Sequence, residues 1–516
     1  MLVGLADGQE LFAERGGRPT GILGDALCRL RLSDGSQLWI HGTDSETIER
    51  YTTLIKPEKG PRALGPVPRL GIGTRMSTMV WPGIFSAMRV HRFSSNAIQN
   101  SLRELNLLDD LLQARPARTN HLFGFGTIEE GHTGSTFEGL WVYGVLQALK
   151  TAGVSKYGAD ADHIMIKRGP DPGPGSGPDA LTRAKEICEA ARRYSFFTVD
   201  LSDILNYAAL LHRNGGPAPD GHLSAGPVNA EHETGVPGNT LEFHSRRRRM
   251  GGVEYTPDAS YLAMLSKKYG QAFDALQQLY THIVGLKQDQ EFDLELSIDE
   301  QPSGLDTFSC LTSETELIFI LLELERRAIP VTHVAPNVGI EKGTDYRGSG
   351  GLKELEHRVE VLYRIADAFG VLLDFHSGDD LSAETRRVLG RACGGRLHFK
   401  ISPSLQLLLA EVLSEIHPDL FGFWYDDTLS YARREAESGS PLAGRCIEEC
   451  EASAGGPSVR DAVFHHFSFA TVGRRDRSGK FLNRELFYDL SEECSQEYAV
   501  RVERYLGTLA DDLFSD

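Results

Sequence analysis

Four stretches hold residue types that do chemistry at close spacing. "YGADADHIMIK" (residues 157–167) carries Asp160, Asp162 and His163, and "ELSIDEQPSG" (295–304) carries Glu295, Asp299 and Glu300. "DFHSGDDLS" (374–382) sets His376 among Asp374, Asp379 and Asp380, and "LHFKIS" (397–402) adds His398 and Lys400. A buried strand cannot hold an unpaired carboxylate without a large desolvation penalty. Such carboxylates therefore require cations, either a metal ion or Lys and Arg side chains. Imidazoles and carboxylates drawn from different strands suit a borderline divalent ion such as Zn, Mn, Co or Ni. The rival arrangement is a set of buried ion pairs with Lys400 and Arg75. Strand alternation puts Asp160 and Asp162 on one face and His163 on the other, unless the strand has already ended there.

These residues need elements to position them. Eight apolar segments bounded by turn residues read as strands, at 68–76, 91–99, 157–166, 195–203, 292–300, 330–338, 370–378 and 396–402. Stretches with helical period separate them. "SETELIFILLELERRAI" starts on an N-cap Ser, and "GLKELEHRVEVLYRIADAF" is a second clear helix. Strands alternating with helices predict an α/β fold with a (β/α)8 TIM-barrel-like core, in which active sites sit where the strands end. A polar residue closes every segment: Arg75, Gln99, His163, Asp200, Glu300, Asn337, His376 and Lys400.

The expected organisation has three parts. Residues 1–60 form a small N-terminal β-rich cap, in which "GILGDALCRLRLSDGSQLWI" alternates like a hairpin before the linker "KPEKGPRALGPVP". Residues 61–404 form the catalytic barrel, with a long mobile insertion at 212–255. Residues 405–516 form a C-terminal helical extension packed on the barrel, with His465 and His466 in "VFHHFSFATVG".

Composition excludes several classes of function. The chain has 516 residues, 41% hydrophobic and 24% charged, which is ordinary for a globular protein. Its formal net charge of −18 repels nucleic acid and anionic membranes, so neither is expected as a partner. The one dense basic run, "SRRRRMGG", reads as a solvated loop. Seven scattered cysteines read as reduced thiols, and Cys446 and Cys450 lack a second pair at zinc-site spacing. The N-terminus lacks signal-peptide character, and no apolar run has the length of a membrane span, so a cytoplasmic location is expected. "GFGTIEEG" lacks the strand and helix context of a dinucleotide site, so neither NAD nor ATP is expected.

Taken together, "GTRMS", "QNSLRE", "YGADADHIMIK", "TVDLSD", "ELSIDE", "EKGTDYRG", "FHSGDD" and "LHFKIS" resemble the tagaturonate/fructuronate epimerase (UxaE) family, in the same order over roughly residues 65–480. The resemblance implies a barrel, one divalent metal (Zn, Mn, Ni or Co) and inversion of a hydroxyl-bearing carbon in a keto sugar acid. Carried over residue by residue, it implies His163, Glu300 and His376 as metal ligands, with His466 a fourth candidate. It implies Asp162, Asp200 and Lys400 as catalytic residues, and Arg75, Gln99, Arg103, Asn337 and Asp379 on the substrate side.

Fructuronate and tagaturonate differ at a carbon β to the ketone, which enolisation does not acidify. Retro-aldol cleavage with re-addition, or transient oxidation, remains, and the lack of a dinucleotide motif favours the first. The expected partner is a small sugar or sugar acid, and association into homo-oligomers is left open. Epimerisation of neutral ketohexoses (fructose/tagatose), another metal-dependent sugar isomerase or aldolase, and a non-catalytic sugar-binding protein are the competing readings.

Overall fold

The computed structural model describes residues 2–4, 10–74, 78–101, 105–113, 115, 119–122, 126–129, 133–154, 156–166, 176–211, 238–301, 305–452, 456–476 and 478–515. All eight expected segments form strands. They are β1 (Arg69–Gly73), β2 (Ser94–Ser101), β3 (Tyr157–Met165), β4 (Phe196–Asp200), β5 (Asp293–Ile298), β6 (His333–Pro336), β7 (Leu372–Phe375) and β8 (Leu397–Ile401). Each pairs in parallel with its sequence neighbour, and β8 closes onto β1, so the sheet is a closed eight-stranded barrel. Helices alternate with the strands: α1 (Trp81–His91), α2 (Phe137–Lys150), α3 (Ser176–Ala190), α4 (Ala259–Lys287), α5 (Glu314–Arg326), α6 (Gly351–Ala368) and α7 (Ala383–Ala392).

Local signals explain where the helices start. Ser313 caps α5, accepting from the Glu316 backbone N–H while the Glu316 carboxylate accepts from the Ser313 N–H. That same carboxylate takes the buried Lys268 ammonium of α4 at 2.8 Å, so one residue both caps a helix and ties two helices together. The apolar positions of α5, Leu317 to Leu322, are buried on all sides between barrel and neighbouring helices.

The N-terminal cap is a four-stranded antiparallel sheet of Leu2–Gly4, Glu10–Arg15, Gln37–His41 and Cys28–Arg31 in that spatial order. Its expected hairpin is present, turning where the Gly35 N–H donates to the Leu32 carbonyl and Gly35 takes φ +84. The linker after the cap is held firmly. Asp293 accepts from the Leu64 and Gly65 N–H groups at 2.9 Å and pairs with Arg69 at 3.0 Å, plugging the end of the barrel where the strands begin.

After β8 the chain is helical: α8 (Pro403–Ile416), α9 (Pro418–Glu437), α10 (Pro441–Ala452), α11 (Ala462–Phe467), a short helix Arg484–Tyr488, and α12 (Glu492–Phe514). The last of these packs along α1 and α7. Gly83 permits that approach, since a Cβ there would lie 2.7 Å from the Ala499 carbonyl oxygen.

Two expectations for the insertion are corrected where it is described. Residues 238–255 are folded: a short helix, Gly238–His244, precedes the antiparallel pair Arg248–Met250 and Val253–Tyr255. His244 is fully buried, 2.7 Å from Tyr255 Oη and 2.8 Å from Glu323 Oε1 on α5. The basic run is likewise part of the hairpin: Arg247 pairs with Glu254, and Arg248 donates to the Phe243 carbonyl. Residues 212–237 lie outside the described residues. The seven cysteines are all free thiols. Among the described residues, no helix is long and apolar enough to cross a membrane.

Candidate active site

Barrel interiors are usually filled by branched aliphatic side chains. Here the inward positions of β3, β4, β5, β7 and β8 are Asp160, Thr198, Glu295, Asp374 and Lys400, all buried. The Lys400 ammonium sits at their centre. It lies 2.8 Å from Glu295, 3.0 Å from Asp162, 3.4 Å from Asp160 and 3.5 Å from Asp374, and it donates to Thr198 Oγ1 at 2.7 Å. Burial works against its charge, but these carboxylates outweigh it and hold Lys400 firmly protonated. Burial, and then the Asp374 charge, push the Glu295 carboxyl up to about 8, and burial pushes Asp160 up to about 7. The cluster thus fits around one ammonium by keeping part of its acid protonated.

Room for it comes from Gly71 on β1. A Cβ there would meet Gln99 Oε1 at 2.3 Å, Lys400 Cγ at 2.7 Å and His398 Nε2 at 2.9 Å.

A second layer lies nearer the strand ends. His376 follows β7 with its Nε2 2.8 Å from Glu295 Oε1 and its Nδ1 3.1 Å from Asp299 Oδ2. Burial opposes its charge, but Asp299 and Glu295 outweigh this and raise its pKa well above the ordinary value. The His163 ring stands 4.9 Å from that of His376, edge to face. Its Nδ1 lies 3.3 Å from Asp200 Oδ2, while the other Asp200 oxygen accepts from the Ser202 N–H.

Simple alternation would turn His163 out of the barrel, and the structure corrects that expectation. The pairing of β3 with β4 slips between Phe197 and Val199, so Asp162 and His163 together oppose Thr198. His163 takes φ +50 at this bulge, and both residues face the pocket.

Above these layers opens a pocket of about 440 Å³, lined deep down by Gln99, Asn100, Asp162, His163, His376 and Lys400. Asp299 and Glu300 follow β5 into its wall, and His466 of α11 lies at its rim. Burial would raise Asp162, but His163, Lys400 and His376 outweigh it and hold the carboxyl below its usual range. Asp299 is lowered for the same kind of reason, burial being outweighed by His376.

Two sets of donors could hold a metal ion among the described residues: His163, Asp200 and Glu300, and Glu295, Asp374 and His376, each set with its ligand atoms within 4.8 Å of one another. The second set already faces the Lys400 ammonium. Asp200 in the first has no ammonium or guanidinium at ion-pair distance among the described residues.

The expected site residues thus separate. His163, Glu300 and Asp200 come together, with His376 adjoining them. His466 belongs to neither donor set, although it lines the same pocket. Gln99 lines the pocket with a buried Oε1 that has no hydrogen-bond partner among the described residues. Lys400 borders the pocket but spends its donors on Thr198, Glu295 and Asp162 rather than on the cavity.

Asp379 lines the same pocket, and its two oxygens also accept the Ser402 and Ser404 N–H groups, which anchors α8. Asn337 is not a wall residue; its Oδ1 accepts from Thr307 and from the Gly339 N–H. Arg75 and Arg103 lie outside the described residues. Glu295, Asp374 and Asp160 stand out in the sequence for their chemistry but not among the residues the resemblance implies, and Thr198 does not stand out there at all; all four are buried and share the inward parity of their strands.

Residues 129–438, well over half of the chain, match the sequence pattern of UxaE, tagaturonate epimerase. The chain belongs to this family. Over 288 residues it is 26% identical to the tagaturonate/fructuronate epimerase of Thermotoga maritima, and the match covers 54% of each protein. The chain therefore spans about half the length of that curated relative in the alignment. Two crystal structures of fructuronate-tagaturonate epimerase UxaE from Cohnella laeviribosi share the family fold. The form with one glycerol has a TM-score of 0.67 at 19% identity, covering 99% of this chain and 92% of that one. The native form has a TM-score of 0.66 at 18% identity with the same coverage.

Proposed function

We propose that this chain interconverts tagaturonate and fructuronate by inverting the hydroxyl-bearing carbon β to the ketone. The observation that carries the reading is one pocket lined by His163 and Glu300, which Asp200 behind them completes to a three-residue donor set, beside ionised and protonated groups able to move a proton. Membership of the tagaturonate epimerase family supports the same substrate class.

The donor set fits a divalent ion: one imidazole and two carboxylates from three strand ends, on a bulge that turns His163 inward. Such an ion would act as a Lewis acid toward the ketone oxygen.

The chain's own residues account for the rest. Asp162, held ionised at the pocket floor, accepts the proton of the hydroxyl on the carbon to be inverted. The bond between that carbon and its neighbour on the ketone side breaks, leaving an aldehyde, and its electron pair passes into an enediolate. His376, protonated with its two ring nitrogens turned to Glu295 and Asp299, stabilises the developing negative charge through its positive charge beside the pocket. Rotation of the aldehyde and re-addition on its other face reform the carbon–carbon bond, and the proton returns to the hydroxyl oxygen. Asp200 orients His163, and Lys400 fixes the carboxylates below.

Incubation of divalent-metal-loaded protein with fructuronate, tagaturonate, fructose and tagatose, followed by product identification, tests this reading. The expected product from each uronate is the other, of equal mass with the carbonyl in place. Release of two shorter fragments would make the protein an aldolase, and binding without turnover would make it a sugar-binding protein. Conversion of the neutral ketoses at equal efficiency would place it among ketohexose epimerases.

A further inference from the structure

The pocket is acidic where chemistry is proposed. Asp162, Asp299 and Glu300 line it, and the Lys400 ammonium is turned away toward its own acceptors. An anionic group placed there would meet like charge, which costs affinity. Conditions differ at the mouth, where Lys342 of the loop after β6 and Arg445 of α10 both line the opening.

Leu442 and Arg445 are three residues apart on α10, so one helix face presents an apolar residue and a guanidinium to the same opening. The acids nearby are already engaged. Glu341 pairs with Arg347, while Asp380 accepts the Gly343 N–H at 2.7 Å and meets His465 at 3.2 Å. Among the described residues, Arg445 has no carboxylate partner at ion-pair distance.

Burial, and then His465, lower the pKa of His466 to about 4, with Asp380 opposing and Lys342 and Arg445 adding smaller effects in the lowering direction, so a neutral imidazole lines the same opening.

We propose that Arg445, with Lys342 at the same mouth, reads the carboxylate of the sugar acid and so selects uronates over neutral ketoses. This rests on the epimerase reading above. In that reading the ketone and the carboxylate lie on opposite sides of the inverted carbon, the carboxylate two bonds beyond it. A substrate with its ketone end held at the floor by the His163 layer directs its carboxylate toward the mouth. The planar guanidinium matches a carboxylate with two parallel donors, which a hydroxymethyl group in the same place could not use. The specificity element then belongs to the C-terminal helices, while the proposed chemistry belongs to the barrel.

The test compares wild type with Arg445→Met, Arg445→Lys and the Arg445→Met/Lys342→Met pair, all metal-loaded and checked for wild-type circular dichroism. Arg445→Met is expected to raise KM for fructuronate about tenfold or more, with the larger part of the loss in KM rather than kcat. Arg445→Lys should fall between the two, because it keeps the charge and loses the fork. A fructuronate KM within twofold of wild type in the double variant overturns the proposal.

Calorimetric titration with sodium glucuronate and with sorbitol separates this from the epimerase reading. If wild type turns over no uronate, that reading fails. The clamp is still supported if wild type prefers the acid and the double variant does not, and it is overturned if wild type binds both equally.

Discussion

His163 reaches Asp200 on the neighbouring strand, Nδ1 to Oδ2 at 3.3 Å, from a left-handed backbone conformation inside a β bulge. A non-glycine residue with φ near +50 is uncommon within a strand and is kept where surrounding structure demands it. The bulge inserts one extra residue, so two consecutive side chains, Asp162 and His163, enter one pocket.

Asp200→Asn keeps the shape of this contact and removes its charge. The variant is expected to remain folded, to bind a divalent ion on the order of 10- to 100-fold more weakly, and to lose epimerase turnover in step. Elemental analysis after dialysis against graded metal, beside a turnover assay, checks it. Full occupancy with normal turnover would remove Asp200 from the donor set.

Lys400→Met leaves Asp162, Glu295, Asp160 and Asp374 around an apolar side chain. Removing one partner of a buried ion cluster is expected to cost about 3–5 kcal/mol. Chemical denaturation of the metal-free protein measures this directly. A loss below about 1 kcal/mol would mean that the carboxylates are neutral without the ammonium.

Gly71→Ala places a methyl group 2.3 Å from Gln99 Oε1 and 2.7 Å from Lys400 Cγ. Overpacking of this kind costs about 1–3 kcal/mol, and here it also displaces two pocket-lining residues. Turnover should fall more than stability, as read by a thermal melt beside an assay. An unchanged kcat/KM would show that Gln99 and Lys400 can shift without consequence.

Glu323 of α5 ties the described part of the insertion to that helix through His244 at 2.8 Å, and it also pairs with Arg326 of its own helix at 2.7 Å. Burial opposes its ionisation, but the His244 and Arg326 hydrogen bonds outweigh it and lower the carboxyl from 4.5 to about 2. A carboxyl depressed in the folded state contributes stability above its unfolded pKa. That contribution is complete above pH 4.5 and is lost as pH falls toward about 2. Glu323→Ala should cost about 3 kcal/mol at neutral pH and release hydrogen-exchange protection in the hairpin 248–255. Unchanged exchange there would show that the hairpin is held by its other contacts.

The sequence by itself determined the barrel and the polarity of its mouth. Apolar runs of strand length, spaced by amphipathic stretches, leave a closed parallel sheet as the arrangement that buries both faces. The acids and imidazoles at the ends of those runs were legible for the same local reason. The polar interior was readable in principle as well, because Thr198, Glu295, Asp374 and Lys400 keep the inward parity of their strands.

What only the tertiary structure decided is who meets whom. Lys400 and Asp162 are 238 residues apart in sequence and 3.0 Å apart in space, a distance set by barrel closure and by no local period. Alternation assigned His163 to the wrong face because a bulge shifts parity by one residue, and a bulge depends on the pairing strand. Asp379, in a row of acids that looked alike, turned to the backbone of α8, where two N–H groups at a helix start needed an acceptor. Periodicity is a property of one segment, whereas a site is a property of several segments brought together, and only their packing decides which donors converge.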